Sequence, residues 1–337
     1  LKKVVRWLAA FVRSAVLALI ALWATLAIYY SNLPWPSLRL VLAAIFASFA
    51  VWALWISPGR QRTLAFFGVF AATVAWWLTI TPTHDRDWRP EVAVMPRAYV
   101  DGDRIRFTGV RNFDYRSRDD FTIRYEEREI DLAHLIGIDF YVSYWAEGPV
   151  GHTFLSFVFD NAPPLAVSIE TRPVVGQGFA PIASLFKQFG LIYVVGEERD
   201  VVGVRTNHRN EMVYLYRLNS SPADARRLFD IYVKRINELA ERPEFYNLLS
   251  NSCTINIIRY ANAAGRAGRF DIRHLLNGLI DSYLYHSGRL TTTLPFDEMR
   301  RQSLINQRAQ LAGDAVDFPD RIRVSLPTTR DPQLPRE

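Results

Sequence analysis

The chain's only cysteine, Cys253, lies in Asn251-Ser252-Cys253-Thr254, directly ahead of an apolar run from Ile255 to Ala264. Asn251 or Ser252 suits a helix N-cap, which places Cys253 in the first helical turn. Unpaired N–H groups and the helix dipole there favour a thiolate, so the chemistry in view is nucleophilic. The same residues also fit a buried core thiol, because Cys253 shares a face with Ile257 at i+4.

A thiol nucleophile needs a base. His84 adjoins a polar connector, His208 falls in the charged 205–211 turn, and His274 and His286 sit at opposite ends of one expected helix. His134 precedes a strand. His152 opens a strand that otherwise wants no polar group; a structural histidine with a satisfied hydrogen bond would look the same. Strand pairing adds a partner. If 160–164 (Asp-Asn-Ala-Pro-Pro) is the turn between 152–159 and 165–171, Phe159 faces Leu165 and His152 faces Arg172. Glu170 is then a diagonal neighbour on the same face, able to hold the imidazole in one tautomer or to pair with Arg172 instead.

Other chemistries lack their signatures. No HExxH, P-loop, G-x-S-x-G or dinucleotide fingerprint occurs. One cysteine excludes a disulfide framework and a zinc site of several thiolates, so no metal or cofactor is expected. The formal charge of +6 (40 Lys+Arg, 34 Asp+Glu) comes from residues 1–84, which have seven basic residues and no acid. The rest is nearly neutral, and a nucleic-acid partner is not expected.

The elements that position these residues read as strands first and helices after, an α+β order. Strands are expected over 98–107 (a hairpin at Asp101-Gly102), 121–128, 136–145, 152–159, 165–171, 191–195, 201–206 and 212–218. Helices are expected over 180–189, from Pro222 to about Ala240, from Cys253, and over 274–285. A Pro-rich tail is expected over 313–337, leaving 85–312 as the domain. Residues 1–84 form a membrane anchor of three apolar stretches, 14–30, 40–56 and 63–80, in or beside which seven of the nine tryptophans fall. Lys2, Lys3, Arg6, Arg13, Arg60 and Arg62 lie on one side and only Arg39 on the other. This asymmetry predicts a cytoplasmic N-terminus and a domain outside the cytoplasmic membrane.

Several blocks together resemble the periplasmic domain of the bacterial lipoprotein N-acyltransferase family, Lnb. They are Val110-Arg111-Asn112-Phe113, His152-Thr153-Phe154-Leu155-Ser156-Phe157, Ser168-Ile169-Glu170-Thr171-Arg172 and 243–254, with 193–200, 204–207 and 213–216 between them. The resemblance covers roughly 93–290 and implies a permuted papain-like fold, an antiparallel sheet plus helices. It implies Cys253 as nucleophile and His152 as base. Glu170 would orient His152, with Asn251, Ser252, Thr254 and Arg172 in support.

The expected function is transfer of an acyl chain from a phospholipid, through a Cys253 thioester, to the N-terminal amine of a lipoprotein at the bacterial inner membrane. The rivals are a Cys-His cell-envelope hydrolase or peptidase, and a non-enzymatic membrane scaffold with Cys253 in its core.

Overall fold

The computed structural model describes residues 2–146, 148–266, 268–324 and 326. The chain forms two units: Leu1–Asp85 with Gly178–Gly190 and Phe245–Leu248, and the remainder.

In the first unit, α1 (Lys2–Tyr29), α2 (Pro36–Val51, prolonged by a π turn at Trp52–Ile56) and α3 (Arg60–Thr79) are long and apolar enough to cross a membrane. Ala21, Ala24, Ala43, Ala50 and Ala53 meet Phe46 and Phe66 in their common core. Small side chains let backbones approach closely where lipid supplies no hydrophobic drive between helices. The helix expected over 180–189 shrinks to one 3-10 turn, Ala183–Leu185, and Lys187 has a positive φ of 57°. This segment instead satisfies carbonyls at helix C-termini, which have no intrahelical partner. Lys187 Nζ donates to the Trp77 and Ile80 carbonyls at 2.9 Å, and Gln188 Nε2 donates to the Tyr30 carbonyl at 2.5 Å.

The second unit is built on an eight-stranded sheet. Its strands are β1 (Arg97–Asp101), β2 (Arg104–Arg111), β5 (Tyr125–Asp131), β6 (Leu135–Tyr144), β7 (His152–Phe159), β8 (Leu165–Arg172), β9 (Gly190–Glu197) and β10 (Met212–Arg217). A separate short pair is β3 (Asp114–Tyr115) with β4 (Phe121–Thr122). The sheet order is β1-β2-β9-β8-β7-β6-β10, with β5 also on β2. The resolved pairings are antiparallel except one: β2 meets β9 in parallel at Arg111↔Gly196. A side chain at 196 would sit 2.8 Å from the Arg111 carbonyl, so glycine permits that approach.

Alternation along the strands feeds two layers. On one face, α5 (Pro222–Glu241) starts from a Ser221–Asp224 capping box and sets Phe229 against Phe107 and Phe157. On the other, Tyr141 and Phe154 pack with Ile305 and with Ala309, Phe318 and Ile322 of α9 (Asn306–Ala312) and α10 (Phe318–Arg323). The expected tail therefore begins too early. Phe318 and Ile322 are fully buried, and Arg323 bridges Asp139 at 2.9 Å and Glu198 at 2.6 Å. Residues 327–337 of that tail lie outside the described residues.

Two more expectations change. The apolar run at 201–206 is no strand: α4 (Glu198–Val201) and a π turn at Val204–His208 bury it on all sides. A short continuous apolar run does not distinguish a buried strand from a helical turn. The helix of 274–285 is broken into 3-10 turns at Ile272–His274 and Asn277–Leu279, followed by α7 (Ile280–His286). After it comes α8 (Phe296–Ser303). The helix from Cys253 is α6 (Cys253–Ala263).

Candidate active site

Strand β7 and helix α6 both begin at the site. Ser252 occupies the N-cap position with extended backbone, but its side chain makes no capping bond, and Cys253 is the first helical residue. Thr254 Oγ1 lies 2.9 Å from Thr153 Oγ1, which ties the helix start to the strand beside His152. His152 lies near enough to the buried thiol of Cys253 to lower its pKa. Asn277 Nδ2 is 3.7 Å from the sulfur and Thr254 Oγ1 is 3.8 Å from it. Burial alone would push the Cys253 pKa up. The charge and hydrogen bond of His152, with further help from Thr153, outweigh burial and bring it down to about 6.

On its other side, His152 Nε2 is 2.7 Å from Ser168 Oγ and 3.9 Å from Glu170 Oε1. The register explains this and corrects the expected pairing. Phe157 pairs with Leu165 and Leu155 with Val167, two residues out from the anticipated match. Continuing that count sets Glu170, not Arg172, opposite His152. The turn runs longer than 160–164: the β7–β8 pairing nearest to it is Phe157↔Leu165, so 158–164 lie between the paired residues.

Glu170 accepts from Arg205 Nη2 at 2.8 Å, and Arg205 also donates to the Val201 carbonyl and lies over the Phe154 ring. Burial would raise the Glu170 pKa, but Arg205, then His152, Arg111 and Ser168, hold it well below the usual carboxylate range. Ser168 helps keep the Glu170 carboxyl ionised, and its Oγ can accept from His152 when Nε2 carries the proton. In that neutral tautomer Nδ1 is the ring's acceptor, whereas in the imidazolium both nitrogens donate.

Arg172 is not part of this arrangement. Its guanidinium donates to the Val92 and Ala93 carbonyls at 2.8 and 2.6 Å and lies over Trp88. Asn251 braces the loop ahead of Cys253: it donates to Glu244 at 3.1 Å and accepts from Asn256 at 2.9 Å.

Four residues at the site were not singled out from sequence: Ser168, Thr153, Arg205 and Asn277. Ser168 precedes Glu170 by two and so shares its strand face, a usable signal. Asn277 exchanges two bonds with the Gly151 backbone (2.8 and 2.7 Å) and donates to Thr254 Oγ1 at 3.0 Å. In sequence it is only an Asn-Gly pair of the kind that marks turns.

Fold and site together describe an α+β domain in which a buried thiol of lowered pKa begins a helix, in a chain with three helices long and apolar enough to span a membrane. Residues 121–278 match the model of the Lnb N-terminal periplasmic domain, and this region belongs to that family. The matched segment holds His152, Ser168, Glu170, Cys253 and Asn277. No curated protein and no solved structure matches the chain. Over these residues the chain is similar to that periplasmic domain, and it also has three helices long and apolar enough to cross a membrane.

Proposed function

We propose that the chain is a membrane-anchored thiol acyltransferase that moves an acyl chain from a phospholipid to the N-terminal amine of a lipoprotein. What supports this reading is Cys253 as the first residue of α6, its thiol lowered by His152, whose Nε2 is 2.7 Å from Ser168 Oγ. In the first half-reaction the Cys253 thiolate attacks the ester carbonyl, forming the S–C bond. The tetrahedral oxyanion is met by N–H groups in the first turn of α6, which have no intrahelical acceptor. The C–O bond then breaks, and Nδ1–H of the His152 imidazolium protonates the departing lysophospholipid alkoxide.

In the second half the amine attacks the thioester carbonyl and His152 takes an amine proton. The C–N bond forms, the C–S bond breaks, and the thiolate returns. Water in place of the amine gives the hydrolase alternative with the same residues. Arg172 has no role in this scheme. The basic residues on one side of the helices support a cytoplasmic N-terminus and a domain beyond the inner membrane.

The test is mass spectrometry of the detergent-solubilised full chain after incubation with phospholipid. An acyl adduct on Cys253, absent in Cys253→Ala and discharged by a diacylated lipopeptide, is expected. An unmodified Cys253 after prolonged incubation overturns the reading; discharge to free fatty acid alone, with the lipopeptide present, favours the hydrolase.

A further inference from the structure

Beyond the reactive pair, one cavity in the domain stands in a defined relation to it. It lies between the sheet face formed by Phe140 and Leu155 and the helices α5, α6 and α7, which contribute Leu228, Ile257, Ala261 and Leu284. Its volume is about 60 Å³. One buried water needs about 10–15 Å³ on such a measure, so the space is real but lined for methylenes rather than for water.

Both elements that carry the reactive pair run from it toward this cavity. At a rise of about 1.5 Å per residue, Ile257 lies about 6 Å along α6 from Cys253, and Ala261 about 12 Å. Along β7, Leu155 is about 10 Å from His152 but on the opposite face of the sheet, so α6 rather than β7 links the thiol to the cavity. Ile257 is on the Cys253 face of α6, one turn on. Polar groups come at the end away from Cys253, where Asp224 and Arg266 pair with each other at 2.7 Å.

We infer that this cavity receives the acyl chain carried on Cys253, and that it sets which chain lengths the enzyme accepts. The inference rests on the thioester reading and adds the binding site of the donor's hydrocarbon. An acyl group attached to the sulfur starts at the first turn of α6 and follows that helix, so its outer methylenes reach Ala261. Each methylene removed from water there contributes about 0.8 kcal/mol.

The experiment measures acylation of Cys253 by intact-protein mass spectrometry, using p-nitrophenyl acetate and p-nitrophenyl laurate on the full chain in detergent. Wild type is expected to prefer laurate. Ala261→Trp, which fills the cavity, is expected to lower the laurate-to-acetate rate ratio by about tenfold or more, the equivalent of about two buried methylenes. Ala261→Leu, a milder filling by a good helix former, keeps the test available if the larger residue unfolds the domain, and should give a smaller fall in the same direction. Thermal midpoints of both variants establish that they are folded. A folded variant pair with the wild-type ratio overturns the cavity assignment while leaving the thiol reading in place. Absence of any adduct on wild-type Cys253 with either ester overturns the thiol reading and this inference with it.

Discussion

At the scale of residues, His152 and burial act on Cys253 in opposite directions, and this makes the thiol a direct reporter. With its pKa near 6, alkylation by iodoacetamide should rise through a midpoint at about pH 6 and be flat by neutrality. In His152→Ala, burial is left opposed only by the weaker Thr153 contacts, so the midpoint should move upward. A midpoint that does not move would mean His152 is not the group lowering the thiol. The sign for stability follows from the same depression: stabilisation by the thiolate is complete above the unfolded cysteine value of about 8.5. It is lost as pH falls through about 6. Ser168 is a positioning residue in this scheme. Ser168→Ala should lower kcat roughly 10- to 100-fold, as for other groups that orient a reactive side chain, and should disturb the pH profile. An unaltered profile with normal kcat would leave the tautomer argument without support. Glu170 differs, because it is paired with a buried Arg205. Glu170→Gln should strand that arginine and cost about 3–5 kcal/mol of stability, visible as a large fall in Tm.

At the scale of elements, the site depends on one close approach. A Cβ on Gly278 would lie 2.7 Å from the Pro149 carbonyl carbon and 2.8 Å from the Val150 nitrogen, both backbone atoms that cannot swing away. Gly278→Ala should therefore push the Asn277 turn off the chain that enters β7 and loosen the Asn277–Gly151 bonds. Reduced activity with a lower Tm is expected, whereas Gly178→Ala, which meets nothing within 4 Å, serves as the neutral comparison. Wild-type activity in Gly278→Ala would show that the turn is not needed at this spacing. Helix α10 makes a second element-scale claim. Arg323→Ala leaves Glu198 and part of Asp139 buried without their cation, at a cost of about 3–5 kcal/mol. A thermal melt near wild type for that variant would contradict the assignment of α10 to the core.

At the scale of the whole molecule, the prediction concerns sidedness. Six basic residues lie on one side of the apolar helices and one, Arg39, on the other. An alkaline phosphatase reporter fused after Glu337 should be active, and a cytoplasm-dependent reporter at the same place silent. The opposite pattern would put the thiol site away from lipoproteins and exclude them as acceptors.

What sequence alone determined was whatever rests on local pattern. Long uncharged stretches can only be membrane helices or a fully buried core, and two apolar runs joined by a turn signal gave strands β7 and β8. The cap signal put Cys253 at the start of α6, and the order of strands before helices gave the α+β class. His152 stood out because a polar residue opened an apolar strand. The structure decided what depends on pairing between distant segments. A two-residue register difference, from a β7–β8 connection longer than the expected 160–164 turn, moved Arg172 out of the site and Glu170 opposite His152. Arg205 reached Glu170 only because 204–208 folds as a π turn rather than as the expected strand. Asn277 joined Gly151 and Thr254 from more than 20 residues beyond Cys253. No local periodicity encodes such contacts; side-chain geometry at a site is set by the packing of the whole sheet and its helices, and is specified only when that packing is complete.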